Sequence, residues 1–169
     1  MAYHAPLAIF TTSFASVSHR CRNLTKYLPI MMKNRFVKPG MIAAALMNIG
    51  GVLLFSRAFT NVAINNADPV VMSNFGLLMI VVWGLAYLGA AQINSSIKWL
   101  AGAFALEKLV YVVVWLLWLG KNSLVAVYAT DVMAGIFYTI YGLNDLVFMI
   151  FFAWVFILHR GERGVSGQD

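Results

Sequence analysis

Residues 100–119 read LAGAFALEKLVYVVVWLLWL, an apolar run interrupted only by the adjacent charges Glu107 and Lys108. It is too long for a strand and shows no alternation of polar and apolar positions. A helix rises about 1.5 Å per residue, so about 20 such residues cross the hydrocarbon core of a bilayer. A charge at the centre of that core costs about 2.5–3.5 kcal/mol on insertion scales. Ionisable groups retained at such depth mark a working site or a pair that locks helices together.

Three further runs have the same character, at about 41–59, 75–93 and 132–158, and the last carries Asp145 near its middle. The whole chain is 62% hydrophobic and 11% charged, with a mean hydropathy of +0.80. A soluble domain carries about 25% charged residues, so this chain lacks the polar surface that water requires. The expectation is an all-α integral membrane four-helix bundle, residues 38–159, with antiparallel neighbouring spans. Residues 1–37 are expected to be a disordered or peripheral basic arm, and residues 160–169 a cytoplasmic tail.

Orientation follows from lysine and arginine in the short loops. Arg20, Arg22, Lys26, Lys33, Arg35 and Lys38 precede the first span, Lys98 lies between the second and third, and Arg160 and Arg163 follow the fourth. The opposite side has Arg57 and Lys121, with Asp68 and Asp131 in the same loops. Both termini are therefore expected in the cytoplasm. The net charge of +6 reads as topology, and nucleic acid is not an expected partner. The first thirty residues contain no acid, and Met31-Met32-Lys33 resembles a translation start. The stretch before it is expected to be dispensable.

Several chemistries find no support. Cys21 is the single cysteine, which excludes an intrachain disulfide. His4, His19 and His159 lie outside the apolar runs, which argues against a histidine-held haem. No nucleotide, zinc-protease or serine-hydrolase motif is present. No metal site and no cofactor are expected.

What remains is a polar constellation at matched depth. Counted from the basic ends of their spans, Asn48 and Lys108 lie about 15 Å in and Asp145 about 20 Å in. On the third span Tyr111 projects between Glu107 and Lys108, and on the fourth Tyr141 projects between Asn144 and Asp145. Tyr138 extends the second stripe outward. Asn48, Glu107, Lys108, Tyr111, Tyr138, Tyr141, Asn144 and Asp145 are thus the expected members of a ligand or proton pocket. Two acids face one lysine, and the sequence leaves open which of them pairs with it. A register lock between helices, a ligand or catalytic pocket and a proton path all fit these residues.

Asp68-Pro69 followed by Gly76, and Ala105-Leu106-Glu107-Lys108-Leu109-Val110-Tyr111, resemble segments of small bacterial four-helix membrane proteins of the DoxX-like and BphX-like kind. The resemblance covers about residues 38–158 and implies a multi-pass protein of the cell inner membrane. It implies little about mechanism, and the Tyr141–Asp145 element has no counterpart in it.

The leading expectation is a non-enzymatic protein, either an accessory subunit or a binder of a small hydrophobic molecule at the midplane. Its expected partners are the lipid bilayer, that ligand, and a second copy or a larger membrane complex. A membrane-embedded isomerase-type lipid enzyme and a proton-coupled carrier acting as a dimer are the alternatives. Reporter fusions after Ile64 and Ser123 are predicted to report an extracytoplasmic location, and a fusion at Gly161 a cytoplasmic one. An outward Gly161 reporter overturns the span count or its orientation.

Overall fold

In hydrocarbon no water is available to the backbone, so a long apolar run closes its N–H and C=O groups on itself as a helix. The computed structural model describes residues 36–158. The acid-free arm, with Cys21 and Met31, and the basic tail fall outside the described residues. Among the described residues six helices follow in order: α1 (Val37–Phe55), α2 (Val62–Ala67), α3 (Asn74–Ala90), α4 (Lys98–Leu119), α5 (Leu124–Thr130) and α6 (Val132–Leu158). Among the described residues there is no strand. Helices α1, α4 and α6 are long and apolar enough to cross a membrane, and α3 is a shorter apolar helix of 17 residues.

The helix ends have local causes. Asp131 starts α6, its Oδ1 accepting from the Ala134 N–H at 2.8 Å. Ser73 starts α3 by accepting from the Gly76 N–H at 3.2 Å. Residues 60–74 join α1 to the next long helix and contain α2, whose first turn is capped by Asn61 accepting from the Ala63 N–H. Helix α1 stops at Phe55, short of the apolar run that extends to residue 59. The reason lies in Arg57, Ala58 and Phe59, which adopt φ of 49°, 52° and 69°. Left-handed backbone costs about 1–2 kcal/mol per non-glycine residue. Hydrogen bonds offset that cost by capping carbonyls that the end of a helix leaves open. The Ala58 N–H donates to Leu53 O at 2.9 Å, and Asn61 Nδ2 to Phe55 O at 3.2 Å.

The most extensive packing joins α4 to α6 and α1 to α3, with α6 also meeting α1. Two glycines set these distances. A Cβ on Gly84 would lie 2.7 Å from Ile49 Cγ1 and 3.2 Å from Ala45 O, so α3 approaches α1 only because Gly84 has none. A Cβ on Gly142 would overlap the Trp115 indole, which fixes the approach of α6 to α4. Small residues serve this purpose in membrane helix pairs.

Two apolar clusters form the core. One gathers Met41, Ala45, Tyr87, Phe104 and Phe152. The other gathers Val52, Ile80, Trp118, Phe137 and Tyr138. The outward faces are apolar as well, with Leu54, Phe75, Leu106, Leu117 and Val147 all exposed. Helices apolar on every side suit a lipid surrounding, and the polar side chains of their middles turn inward instead.

Short helix α2 and the turn after α1 are tied to the end of α4 and to the start of α6, where α5 ends. The Tyr138 hydroxyl donates to Ile64 O at 2.9 Å and Trp118 Nε1 to Ala67 O at 2.9 Å. Arg57 and Asn61 both donate to Asp131, each at 3.0 Å. The Ala134 N–H, then Asn61 and the Arg57 guanidinium hold the Asp131 carboxyl below its usual range. Arg57 is more than half exposed, so water screens its share.

A carboxyl whose folded pKa is depressed stabilises the fold above its unfolded value, and that contribution is lost as pH falls through the folded value. Asp131→Asn is therefore expected to lower the melting temperature at neutral pH. The gap to the parent should close as pH drops below about 4, the ordinary aspartate range. Melting curves of both proteins across pH check this, and a gap independent of pH contradicts it.

Candidate functional site

Each of three helices brings one polar side chain to the level between the two apolar clusters. Asn48 stands on α1 between Ala45 and Val52, Lys108 on α4 between Phe104 and Trp118, and Asp145 at the centre of α6. Gly142 lets α6 approach α4, and Gly40, where a Cβ would overlap the Phe151 ring, lets α1 approach α6.

Lys108 is the hub and is 1% exposed. Its Nζ donates to Asp145 Oδ1 at 2.6 Å and to Asn48 Oδ1 at 3.0 Å. Glu107 Oε1 lies 3.8 Å away, an ion-pair distance without a hydrogen bond. Aspartate 145 is thus the direct partner, and the glutamate next in sequence is not. Adjacent helical residues point about 100° apart, so Glu107 leans toward α3. There its Oε2 accepts from the Tyr87 hydroxyl, while Oε1 is buried without a hydrogen bond. Asn48 completes the frame by donating Nδ2 to Ile80 O at 3.1 Å.

The remaining expected members divide. The Tyr111 ring lies 6.0 Å from Lys108 Nζ, within reach of a cation–π contact. Asn144 donates Nδ2 to Asp145 Oδ1 at 3.2 Å. Tyr141 stacks on Phe137, with centroids 5.3 Å apart, and its hydroxyl is buried without a partner. Tyr138 is not brought to the hub. Its ring stacks on Trp118 with centroids 4.3 Å apart, and its hydroxyl belongs to the Ile64 bond.

Tyr87 is the residue that the sequence reading missed. It is fully buried between Phe104 and Phe152, and its ring lies 5.6 Å from Lys108 Nζ. A signal existed: Tyr87 lies about as far before Lys98 as Glu107 lies after it, so both sit at similar depth from the same connection.

The cluster is not sealed. Asn48, Tyr141, Asn144 and Asp145 line a groove of about 40 Å³ that opens between α1 and α6, with Val52 and Ile80 also in its lining. Chemically, the arrangement holds a carboxylate against a fixed ammonium and presents polar atoms to an apolar cleft. Among the described residues, no three His, Cys, Asp or Glu side chains stand together as metal ligands do.

If Lys108 locks the bundle, Lys108→Met strands Asp145 and is expected to destabilise it by about 3–5 kcal/mol, as for a broken buried pair. Lys108→Met with Asp145→Asn should recover most of that loss. Glu107→Gln keeps the acceptor for Tyr87 and is expected to cost less than about 1 kcal/mol. Unfolding of the four proteins in detergent checks the order, and a fully stable Lys108→Met protein overturns it.

Compared with known proteins, the chain matches no family model, no curated protein and no solved structure.

Proposed function

We propose that this is a multi-pass protein of the cell inner membrane that binds a small hydrophobic molecule in the groove between α1 and α6. In this reading α3 is the second of four spans, neighbouring spans run antiparallel, and both termini are cytoplasmic. At about 1.5 Å per residue α3 is about 26 Å long, slightly short of an average hydrocarbon core. Local thinning or flanking turns accommodate such a mismatch at modest cost. The basic residues before α1 and at Lys98 support the orientation. The DoxX-like and BphX-like resemblance belongs to the same proposal.

One observation carries the reading. The polar hub touches an open apolar groove instead of being wrapped by side chains on all sides. A pure register lock needs no such opening. The walls are large and apolar, Met47 and Phe55 on α1 facing Phe137 and Ile140 on α6, and the floor is polar. A pocket of mostly apolar lining with a few converging polar groups is the usual form of a small-molecule site. The function proposed is binding, either for its own sake or as an accessory subunit that presents the molecule to a partner.

A second reading draws on a different observation. Tyr87, Glu107, Lys108 and Asp145 are contiguous, and two carboxyls share one ammonium. That arrangement suits a group that takes up and releases a proton, as a carrier or an isomerase-type enzyme requires.

A headless ring tests the groove itself. A phenyl trifluoromethyl diazirine, photolysed with the protein in lipid nanodiscs, is expected to label Met47 and Tyr141 above lipid-facing residues such as Leu117. A Cβ on Gly51, which lines the groove, or on exposed Gly50, which does not, meets nothing within 4 Å. Gly51→Leu should therefore fill the groove and suppress the labelling, and Gly50→Leu should leave it unchanged. Uniform labelling that ignores Gly51→Leu overturns the proposal.

A further inference from the structure

The two carboxyls of the hub differ in how they are held. Asp145 takes the Lys108 ammonium at 2.6 Å and an amide hydrogen of Asn144 at 3.2 Å. Glu107 takes one hydrogen bond, from the Tyr87 hydroxyl to Oε2. Its Oε1 is buried with no hydrogen-bond partner, 3.8 Å from Lys108 Nζ. An ionised carboxylate offers about four acceptor sites on its two oxygens, and an interior makes charge without partners costly. A carboxylic acid needs less: with the hydrogen on Oε1, Oε2 is left to accept from Tyr87.

Charge balance points the same way. The titratable groups around Lys108 are Tyr87 from α3, Glu107 and Tyr111 from α4 itself, and Tyr141 and Asp145 from α6, while α1 contributes the neutral amide of Asn48. With both acids ionised and the lysine charged, the hub would carry one negative charge in excess between two apolar clusters. One proton removes it. Both acids lie within ion-pair distance of the same ammonium, so the acid that Lys108 serves is ionised and the other takes the hydrogen. Access separates them as well. Glu107 is covered by Tyr87, against which Phe104 and Phe152 pack. Asp145 lines the groove between α1 and α6 together with Asn48 and Asn144. The groove's volume of about 40 Å³ exceeds the roughly 10–15 Å³ that a water molecule needs.

We propose that the hub is a binding site for one exchangeable proton, held on Glu107 Oε1 in the observed arrangement and passed through Lys108 to Asp145 and the groove. As an Nζ–H bond of Lys108 breaks and its proton joins Asp145 Oδ1, the Oε1–H bond of Glu107 breaks and its proton joins the nitrogen. Lys108 ends as an ammonium, Glu107 as a carboxylate and Asp145 as an acid beside the groove's water. This rests on the second reading given above, the uptake and release of a proton, and it names the residue that holds the proton and the one that passes it on.

Infrared spectra of the full chain in nanodiscs test it, because carboxylic acids and carboxylates absorb separately. At neutral pH the parent is expected to show the acid band of one carboxyl per chain, and Glu107→Gln to lose it. Carbon-13 in the glutamate carboxyls should move the band and carbon-13 in the aspartate carboxyls should not, which assigns it without any variant. Asp145→Asn should also lose the band, because Lys108 then serves Glu107 alone; a glutamic acid that is merely buried would keep it. If Asp145→Asn does not fold, deuterium exchange of the band in heavy water decides. Gly51→Leu, whose side chain enters the groove, should slow that exchange severalfold, and Gly50→Leu should not. A band that follows the aspartate label overturns the Glu107 assignment and leaves the proton reading standing. A band that persists in Asp145→Asn, or an exchange indifferent to Gly51→Leu, overturns the passage through Lys108. Absence of any acid band from about pH 6 to 9, above the range of exposed carboxyls, overturns both.

Discussion

The ammonium of Lys108 is the constraint on which the rest of the described structure depends. It lies between two apolar clusters, and its direct hydrogen bonds come from side chains on two other helices. Asp145 supplies the counter-charge and Asn48 a neutral acceptor, on helices that approach their neighbours closely at glycines. Gly84 lets α1 and α3 touch, Gly142 lets α4 and α6 touch, and the hub sits where those pairs converge. A shift of one residue in any of the three helices would turn its polar side chain by about 100° toward lipid. The polar layer therefore fixes register, while the apolar clusters on either side supply most of the contact area.

Much of the architecture was legible because membrane helices obey few rules. The long apolar runs became helices, and α6 spans the same residues as the fourth run. The matched depth of Asn48, Lys108 and Asp145 could be counted from the basic ends of their spans, and the structure brings the three into hydrogen-bond contact. Less legible was the direction in which each side chain leaves its helix. Glu107 and Lys108 are neighbours in sequence, yet one turns to Tyr87 and the other to Asp145. Tyr138 shares a stripe with Tyr141 but turns to α2, which offers the Ile64 carbonyl at that level. That acceptor exists only because residues 62–67 coil into a helix, and their asparagine-rich composition reads as a loop. The early end of α1 was equally hidden, since Arg57, Ala58 and Phe59 carry no glycine to announce a left-handed turn.

The groove explains why the polar layer is lopsided. On the α3 side Glu107 is shut in by Tyr87, Phe104 and Phe152, a dense aromatic packing with ring centroids of the Tyr87 pairs under 5 Å apart. On the α1 side the same layer meets Gly51 and a cleft. One face of the hub is thus closed by aromatic rings and the other open to a cleft, and Lys108 stands between them. Arg57 and Asn61, both bound to Asp131, join the end of α1 to the start of α6 and so bear on the groove's two walls.

The separation of Lys108 from its partners along the chain has a consequence for how the protein is made. Asn48 lies 60 residues before the lysine and Asp145 lies 37 residues after it. A ribosome working from the N-terminus delivers α1, then α4, and only later the helix that carries the counter-charge. For that interval the lysine is in the insertion machinery or the bilayer without Asp145. The neighbouring carboxyl of Glu107 and the amide of Asn48 are the groups at hand to shelter it. An acid that holds only a minor place in the finished structure, 3.8 Å from the ammonium, is thus the first counter-ion the growing chain provides.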